Sequence, residues 1–489
     1  MERVTIVGGG SAGWMTAFII SKLRKLDVTL IESSEILSVG VGEGTTGRFL
    51  EILSRENFGL DLTDLLLSLK ALPKMGINFV NWSDEGDYMS PISGTETSDT
   101  YIDYVSYSGH LLGRDNSEYN ESAYYAKNDL SNLTKDLNGE YKFYGFFPAL
   151  HLDAASLVNF FKEKSKSNGV THIVDTVEDV TKINGNILSI QLKDTGTYTS
   201  DFFIDCTGFQ RKLMQDMEWI DYSKYLPIDR GLPFKLKEDT GKKHAYTNAI
   251  AMDSGWVWEI PTQHKIGRGY CFSSKYTDEE TCLKELENLY QTEVEKIKTI
   301  EFSSGRMRDV MSGNCLAVGL SAAFFEPLQA TSLHCTLQQI EDFIFTFLDD
   351  ESIDLDSVSV DAYNRRYARM YEDMRDFIFI HYTGGKTNTD FWRHFTKDMY
   401  PEQVSNLIHF NDKRLLRDYD VERYHGSVGV PLFIPTLLGL GHFNRETAER
   451  ILSCDIDITS MNTRLDKFYS NIKRKVSSQN YQSIKQLLV

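Results

Sequence analysis

Near the start of the chain Gly8, Gly10 and Gly13 stand in a GxGxxG pattern, and Glu32 follows 19 residues after the last of them. These residue types at this spacing suit a dinucleotide. The first glycine permits a tight turn, the second lets the backbone approach a pyrophosphate, and the third lets a helix pack closely on a strand. The phosphates then face the free N–H groups and positive dipole end of a helix whose first residues include Ser11 and Ala12. An acid at Glu32 accepts hydrogen bonds from a ribose diol. A second glycine-rich run, Gly40-Val41-Gly42-Glu43-Gly44-Thr45, is placed to strap over a pyrophosphate. A fingerprint at the extreme start of the chain followed by such a run favours FAD over NAD.

Glycines in these roles need a strand before them and a helix after. Residues 3–7 (RVTIV) read as a short buried strand, 8–13 as the turn, 14–26 as a helix and 28–31 as a second strand ending at Glu32. This is the start of a βαβ unit. Residues 151–166 read as a helix. Residues 172–177, 187–192, 201–206, 255–261 and 269–273 read as strands, with Asn184-Gly185 as a hairpin turn. Residues 83–141 are rich in Ser, Tyr, Asn, Asp and Gly with weak periodicity. They read as a long excursion with little regular structure that covers the core. From residue 332 onward the pattern is mainly helical. Pro431, Pro435, Gly439 and Gly441 interrupt the last helical region, which is expected to line a pocket.

The bulk properties narrow the classes. The chain has 489 residues, 41% hydrophobic and 25% charged, the balance of a globular protein able to bury a large core. A formal net charge of −18 argues against nucleic acid as a partner. The cysteines are scattered without a CxxC pair, which fits reduced thiols and gives no zinc signature. Neither a signal peptide nor a membrane-length apolar run is evident, so a cytoplasmic protein with no membrane partner is expected.

Nine stretches together resemble the flavin-dependent tryptophan halogenase family: GGGSAGW near the start, VGVGEGT at 39–45, KMGINFVNW at 74–82, HLDA at 151–154, DFFIDCTGF at 201–209, GWVWEIP at 255–261, GRGYCFSS at 267–274, CLAVGLSAAFFEPL at 315–328 and IHYTGGKTNTDFW at 380–392. The specific combination is GWVWEIP with a lysine before FVNW. Generic flavin monooxygenases share only the first motif and the DCTG block. The resemblance implies an α/β fold in which a Rossmann-like, hydroxylase-type FAD module (1–331) packs as one unit with a mostly α-helical substrate module (332–489). It also implies the chemistry: reduced FAD from a separate flavin reductase, oxygen and a halide ion yield hypohalous acid. That oxidant travels through a tunnel to a lysine beside an aromatic substrate.

Residue by residue, Lys74 matches the family lysine, set apart from the flavin contacts at 8–13, 32 and about 39–47. A lysine there acts as a hydrogen-bond donor when charged or as an N-halo carrier when neutral, and burial eases the loss of charge. Trp256 and Trp258 alternate along a strand and share a face; the resemblance puts them beside the flavin, where they exclude the organic substrate. In Pro327-Leu328-Gln329-Ala330-Thr331-Ser332, backbone N–H groups at Thr331 and Ser332 suit a halide. Gln329 stands where tryptophan-specific members carry a glutamate; it can orient and hydrogen-bond but is no useful base. Asp205, Gly208, Gly319 and Leu328 are further cofactor contacts. Residues 424–442 lack the aromatic pair and acid expected for clamping an amino acid, so a looser aromatic or indole-like substrate fits better than free tryptophan. His110, His381 and His442 read as structural histidines, and no metal site is expected. A homodimer is the expected assembly. The alternatives are a flavin monooxygenase hydroxylating an aromatic substrate, or a non-catalytic flavin-binding protein; Gln329 is the feature that favours the latter.

Overall fold

A computed structural model describes residues 2–35, 42–93, 103–239, 241–421, 428–455 and 457–479, with Ser483 and Gln486. The strand Arg3–Val7 has Val4, Thr5, Ile6 and Val7 all buried, as befits a parallel strand covered on both faces. It lies between Asp27–Glu32 and Phe202–Asp205, both parallel to it. Thr171–Val174 and Cys315–Ala317 extend this sheet in parallel on either side, and Met311–Ser312 closes one edge in antiparallel fashion, giving six strands.

The first helix runs Ser11–Leu23 rather than 14–26. The glycine turn is thus partly the helix's own first turn, which is where backbone N–H groups lack intrahelical partners. At the far end Arg24 is already extended, and Leu26 leads into the next strand. The hairpin turn at Asn184-Gly185 has both residues at positive φ, 52° and 80°, joining Val177–Ile183 to Asn186–Leu192.

A second sheet of eight strands holds Gly255–Pro261 and Ile266–Phe272 as antiparallel neighbours. Within it Tyr246–Met252 pairs in parallel with Gly76–Val80, which pairs with Tyr88–Pro91. A small third sheet matters most for the site. Its central strand, Ala149–Asp153, pairs with Gly42–Gly44 on one side and Leu72–Lys74 on the other. His151 therefore sits opposite both Gly44 and Leu72, and Lys74 sits opposite Ala149. The helix expected from 151 begins instead at Ala154, because the Asp153 carboxylate accepts from the Ser156 N–H and caps it.

The segment 83–141 also departs from expectation. Its described part holds the strand Tyr88–Pro91, the helices Tyr104–Leu111 and Glu121–Lys127, and the hairpin of Leu133–Lys135 with Tyr141–Phe143. Residues 94–102 lie outside the described part. Asp103 and Asn120 cap the two helices through the N–H groups of Ser106 and Ala123. Helices of eight and seven residues are too short to show a clear apolar period.

Beyond residue 330 the helices dominate, beginning with Thr331–Phe347 and Ser357–Ile380. The second is capped by Asp356 and buries Tyr363, Tyr367, Met370, Tyr371, Met374 and Phe377, a stripe of helical period. The helix Val430–Gly439 opens on Pro431 and contains Pro435. Sheets and helices share one buried apolar cluster that runs from Val4 to Leu452. No helix among the described residues is long and apolar enough to cross a membrane.

Candidate active site

The glycine turn is fixed by its own backbone. Gly8 has φ of +116°, and a side chain there would meet the Cys206 carbonyl oxygen at 2.2 Å; one at Gly13 would meet the Gly8 carbonyl oxygen at 1.9 Å. Over Gly10, by contrast, a Cβ would meet nothing within 4 Å. Gly10 is the N-cap of the helix Ser11–Leu23, and no side chain caps it. An open backbone cradle at an uncapped helix start, with Ser11 and Ala12 in its first turn, fits a pyrophosphate. The turn at Gly319 abuts it, since a Cβ on Gly319 would lie 2.7 Å from the Ala12 Cβ.

Glu32 ends its strand beneath this turn, close enough that a Cβ on Gly9 would stand 1.7 Å from its Oε2. Its Oε1 accepts from Lys162 Nζ at 2.6 Å and His172 Nε2 at 2.8 Å, and its Oε2 from Trp14 Nε1 at 3.3 Å. Burial pushes its pKa up, but these three donors outweigh burial and hold it below the usual carboxylate value. A carboxylate has about four acceptor positions, so one remains for a ribose hydroxyl.

Asp205 requires a correction. Expected as a cofactor contact, it is buried and turned inward. Its Oδ1 accepts from the N–H and hydroxyl of Thr207 and from Ser321, and its Oδ2 from the N–H groups of Leu213 and Met214. The carboxylate organises the loop and has no capacity left for a ligand. Gly208, at φ of +65° with open space above it, opens the short helical turn Gly208–Gln210.

The strap is described from Gly42 onward; Gly40 and Val41 lie outside the described residues. Thr45 is buried, and its N–H and hydroxyl bind the backbone of Leu150. Lys74 is also buried, and its Nζ donates to the Thr45 carbonyl at 3.4 Å. A Cβ on Gly44 would lie 3.3 Å from that Nζ and 3.3 Å from the Ala330 Cβ. The lysine, expected apart from the strap, therefore touches it, because Gly42–Gly44 and Leu72–Lys74 flank the same strand. Burial lowers the Lys74 pKa to about 7. On the strap, burial and then repulsion from Asp153 raise Glu43 to about 7. His151 is held well below the usual histidine value by burial and then by Lys74; its Nε2 meets Thr247 Oγ1 at 2.8 Å and its Nδ1 has no partner.

Trp256 and Trp258 share a face, ring centroids 6.3 Å apart. Neither indole N–H completes a hydrogen bond among the described residues, though the Trp256 N–H leans toward Glu326. The Trp258 ring covers Gly269, where a Cβ would sit 2.0 Å from it. Behind Trp256 lies Glu326, buried, with Oε1 accepting from Tyr382 at 2.5 Å and Oε2 without a partner. Burial raises its pKa to about 7.

Leu328 is buried in the short turn Pro327–Gln329. Ala330 follows in the left-handed region at φ of 56°, a conformation costing an L-residue about 1 kcal/mol or more. That kink separates Gln329 from Thr331 and Ser332, which open the 17-residue helix Thr331–Phe347 without a side-chain cap. The Thr331 hydroxyl is buried and has no partner among the described residues. An orphaned hydroxyl at an uncapped helix start fits a small anion. Gln329 Nε2 lies 2.8 Å from His381 Nε2, and His381 Nδ1 lies 2.8 Å from the Tyr88 hydroxyl. His442 binds Thr383 and His110 packs edge-on against Phe443.

A cavity of about 520 Å³ lies beyond Tyr88, walled by Asn78, Tyr119, Tyr246 and Phe443 and edged by Glu85 and Asp87. Neither Lys74 nor Gln329 lines it; Tyr88 does. Sequence reasoning missed Tyr88, which fell in the segment read as irregular, and it gave Glu43 no titration role.

The chain resembles known proteins over most of its length. The sequence profile of the tryptophan halogenase family matches residues 3–448. Over 425 residues the chain is 29% identical to the tryptophan 7-halogenase RebH of Lentzea aerocolonigenes, covering 80% of this chain and 78% of that one. Over 477 residues it is 29% identical to the tryptophan 6-halogenase SttH of Streptomyces toxytricini, covering 90% and 89%. In structure it is similar to a flavin-dependent halogenase from Xanthomonas campestris, with a TM-score of 0.86, 27% identity, and 99% and 96% of the two chains covered.

Proposed function

The chain belongs to the tryptophan halogenase family, and from that premise we propose that it halogenates an electron-rich aromatic or indole-like substrate at Lys74. It is a flavin-dependent enzyme. Gly8, Gly10, Ser11, Ala12, Gly13 and Glu32 would hold the dinucleotide, with Gly42, Glu43, Gly44 and Thr45 over it and Gly208, Gly319 and Leu328 lining its far side. When bound, reduced FAD with oxygen supplies the oxidising equivalent that converts halide to hypohalous acid. Thr331 and Ser332 offer the halide a helix start and an orphaned hydroxyl. Trp256 and Trp258 wall off the organic substrate.

The observation that carries this reading is the placement of Lys74. Its amine is buried between the strap and the kink at Ala330, with a pKa near 7. Near neutral pH it exists in both forms. The charged form donates a hydrogen bond to the oxidant's oxygen; the neutral form takes the halogen from that oxygen as an N-halo species, and the oxygen leaves as water with one amine proton. Gln329 orients the oxidant without serving as base. The substrate would approach from the cavity beyond Tyr88, whose wall Lys74 itself does not join. A separate flavin reductase would supply the electrons.

The test is to supply FAD, a flavin reductase with NADH, oxygen, halide and an indole panel, and to read products by mass spectrometry. Halogen addition supports the proposal. Oxygen addition, or bleaching of bound flavin by NADPH without the reductase, favours a hydroxylating monooxygenase instead.

A further inference from the structure

His381 lies just past the helix Ser357–Ile380, fully buried, and burial pushes its pKa down to about 3. It is therefore a neutral imidazole with one N–H and one lone pair. Phe79 stacks on it at 4.4 Å and also on Tyr88 at 4.7 Å, with the rings within 10° of parallel in each case. Phe377 closes against its edge at 5.5 Å. The ring cannot tilt, so its two nitrogens point at fixed places, one at Tyr88 and the other at Gln329.

The identity of residue 329 makes this arrangement consequential. A carboxylate has two equivalent oxygens, and turning it over changes nothing. A side-chain amide has two unlike ends, one a donor and one an acceptor. Whichever end faces the oxidant decides whether a hypohalous O–H finds an acceptor or meets a donor. With the Gln329 N–H end donating to His381 Nε2, Oε1 is left without a partner among the described residues. The imidazole then carries its proton on Nδ1 and donates it to the Tyr88 oxygen.

Resting on the halogenase reading, we propose that His381 is a positioning residue, which fixes the Gln329 amide through Nε2 so that Oε1 faces the oxidant held beside Lys74, while Tyr88 anchors Nδ1. It acts through Gln329 and touches neither substrate nor cofactor. The chain Tyr88–His381–Gln329 also joins the wall of the cavity to the residue before the Ala330 kink, which lies against Gly44 of the strap, so substrate seated against Tyr88 bears on the same amide.

Two substitutions of similar size separate positioning from mere packing. In His381→Gln the side-chain amide reaches the place of Nε2 and keeps a partner for Gln329. In His381→Asn it reaches only the place of Nδ1 and keeps a partner for Tyr88. The readout is coupling, the halogenated product formed per hypohalous acid generated, with escaped oxidant caught by a chromogenic trap. Flavin retention and circular dichroism report folding. His381→Asn should lower coupling about 3- to 10-fold, the equivalent of one net hydrogen bond, and His381→Gln should recover most of that loss. Tyr88→Phe, which frees the tautomer, should give a smaller loss in the same direction. Gln329→Ala combined with His381→Asn should be no worse than Gln329→Ala alone. Equal losses in the Asn and Gln variants, or additive losses in the double variant, would overturn the proposal while leaving the halogenase reading intact. A wild-type protein that halogenates nothing in the panel would overturn both.

Discussion

At the glycine turn the ligand-facing groups are backbone amides held by neighbouring backbone; around Lys74 they are side chains taken out of water. Gly8 and Gly13 admit no side chain because carbonyl oxygens of Cys206 and Gly8 stand at 2.2 and 1.9 Å. Glu32, at the end of the strand beneath the turn, is kept ionised by its three donors. The lysine pocket is built the other way. Lys74 is shifted to a pKa near 7, as are Glu43 on the strap and, apart from that pocket, Glu326 behind Trp256, with burial the largest cause in every case. Backbone donors bind charge at every pH, whereas desolvated side chains sit poised between protonation states. A cofactor that must stay bound suits the first arrangement, and chemistry that moves a proton or a halogen suits the second.

The contrast breaks most sharply at Lys74. Lys74→Met keeps the apolar stem and removes the amine, which makes a single 3.4 Å contact to the strap. Halogenated product should fall on the order of 100- to 1000-fold, as when one electrostatic catalytic donor is deleted. Flavin retention and oxidant release should stay near wild type. Product at near wild-type rate, with free oxidant scavenged, would mean that the lysine is only structural.

The opposite loss is expected at the turn. A side chain on Gly10 meets open space within the protein, so Gly10→Val should fold. It would stand where the pyrophosphate approaches the backbone, and flavin affinity should drop on the order of 100-fold, one or two charge-assisted hydrogen bonds. Unchanged flavin affinity in the folded variant, read by fluorescence titration, would remove the glycine turn from the cofactor site.

The same contrast explains what the sequence discloses. Gly8, Gly10, Gly13 and Glu32 belong to one βαβ unit, so their spacing alone encodes their geometry. Lys74 meets Thr45 across 29 residues and Tyr88 meets His381 across 293, and no local pattern records such meetings. Lys74 was legible only because the stretch around it resembles a family motif. Asp205 misleads because an aspartate ending a strand serves equally to face a ligand or to gather its own loop, and the donors that decide the matter, Ser321 and the 213–214 backbone, come from elsewhere. The pattern draws His151 into a helix whose cap is in fact Asp153, two residues later.

A smaller effect tests whether the lysine pocket is costly to the fold. Lys74 has a folded pKa of about 7 against an ordinary value of 10.5. Between those values the unfolded chain binds more protons than the folded one, so this group makes stability rise with pH across that window. Below pH 7 both states are protonated and the full penalty for burying the charge is present. Lys74→Met removes the penalty. Its melting temperature should exceed wild type by a few °C near pH 6, with the gap closing toward pH 10. A gap that widens with pH would show that the lysine is not desolvated as described.

The smallest effect concerns the substrate side. Glu85 and Asp87 edge the cavity, and neither has an ion-pair partner among the described residues. The basic groups there are Arg114, engaged with Glu118 and Asp466, Lys127, engaged with Asp115, and His110, which burial holds below the usual histidine value despite Glu85. The aromatic rings Tyr88, Tyr119, Tyr246 and Phe443 add faces that attract cations. The local field is therefore negative, and it should sort indoles by the charge on their side chain. Two charges several ångströms apart in a water-rich cleft interact by about 1 kcal/mol, so an aminoethyl-indole should show a KM several-fold lower than an indole carboxylate of similar length. High salt should narrow the gap because exposed charges are screened within about 10 Å at 0.1 M. Glu85→Gln with Asp87→Asn should abolish it while leaving turnover of a neutral indole in place. Equal KM values for the two charged indoles at low salt, or a gap indifferent to the double substitution, would place the substrate's polar end somewhere other than this cavity.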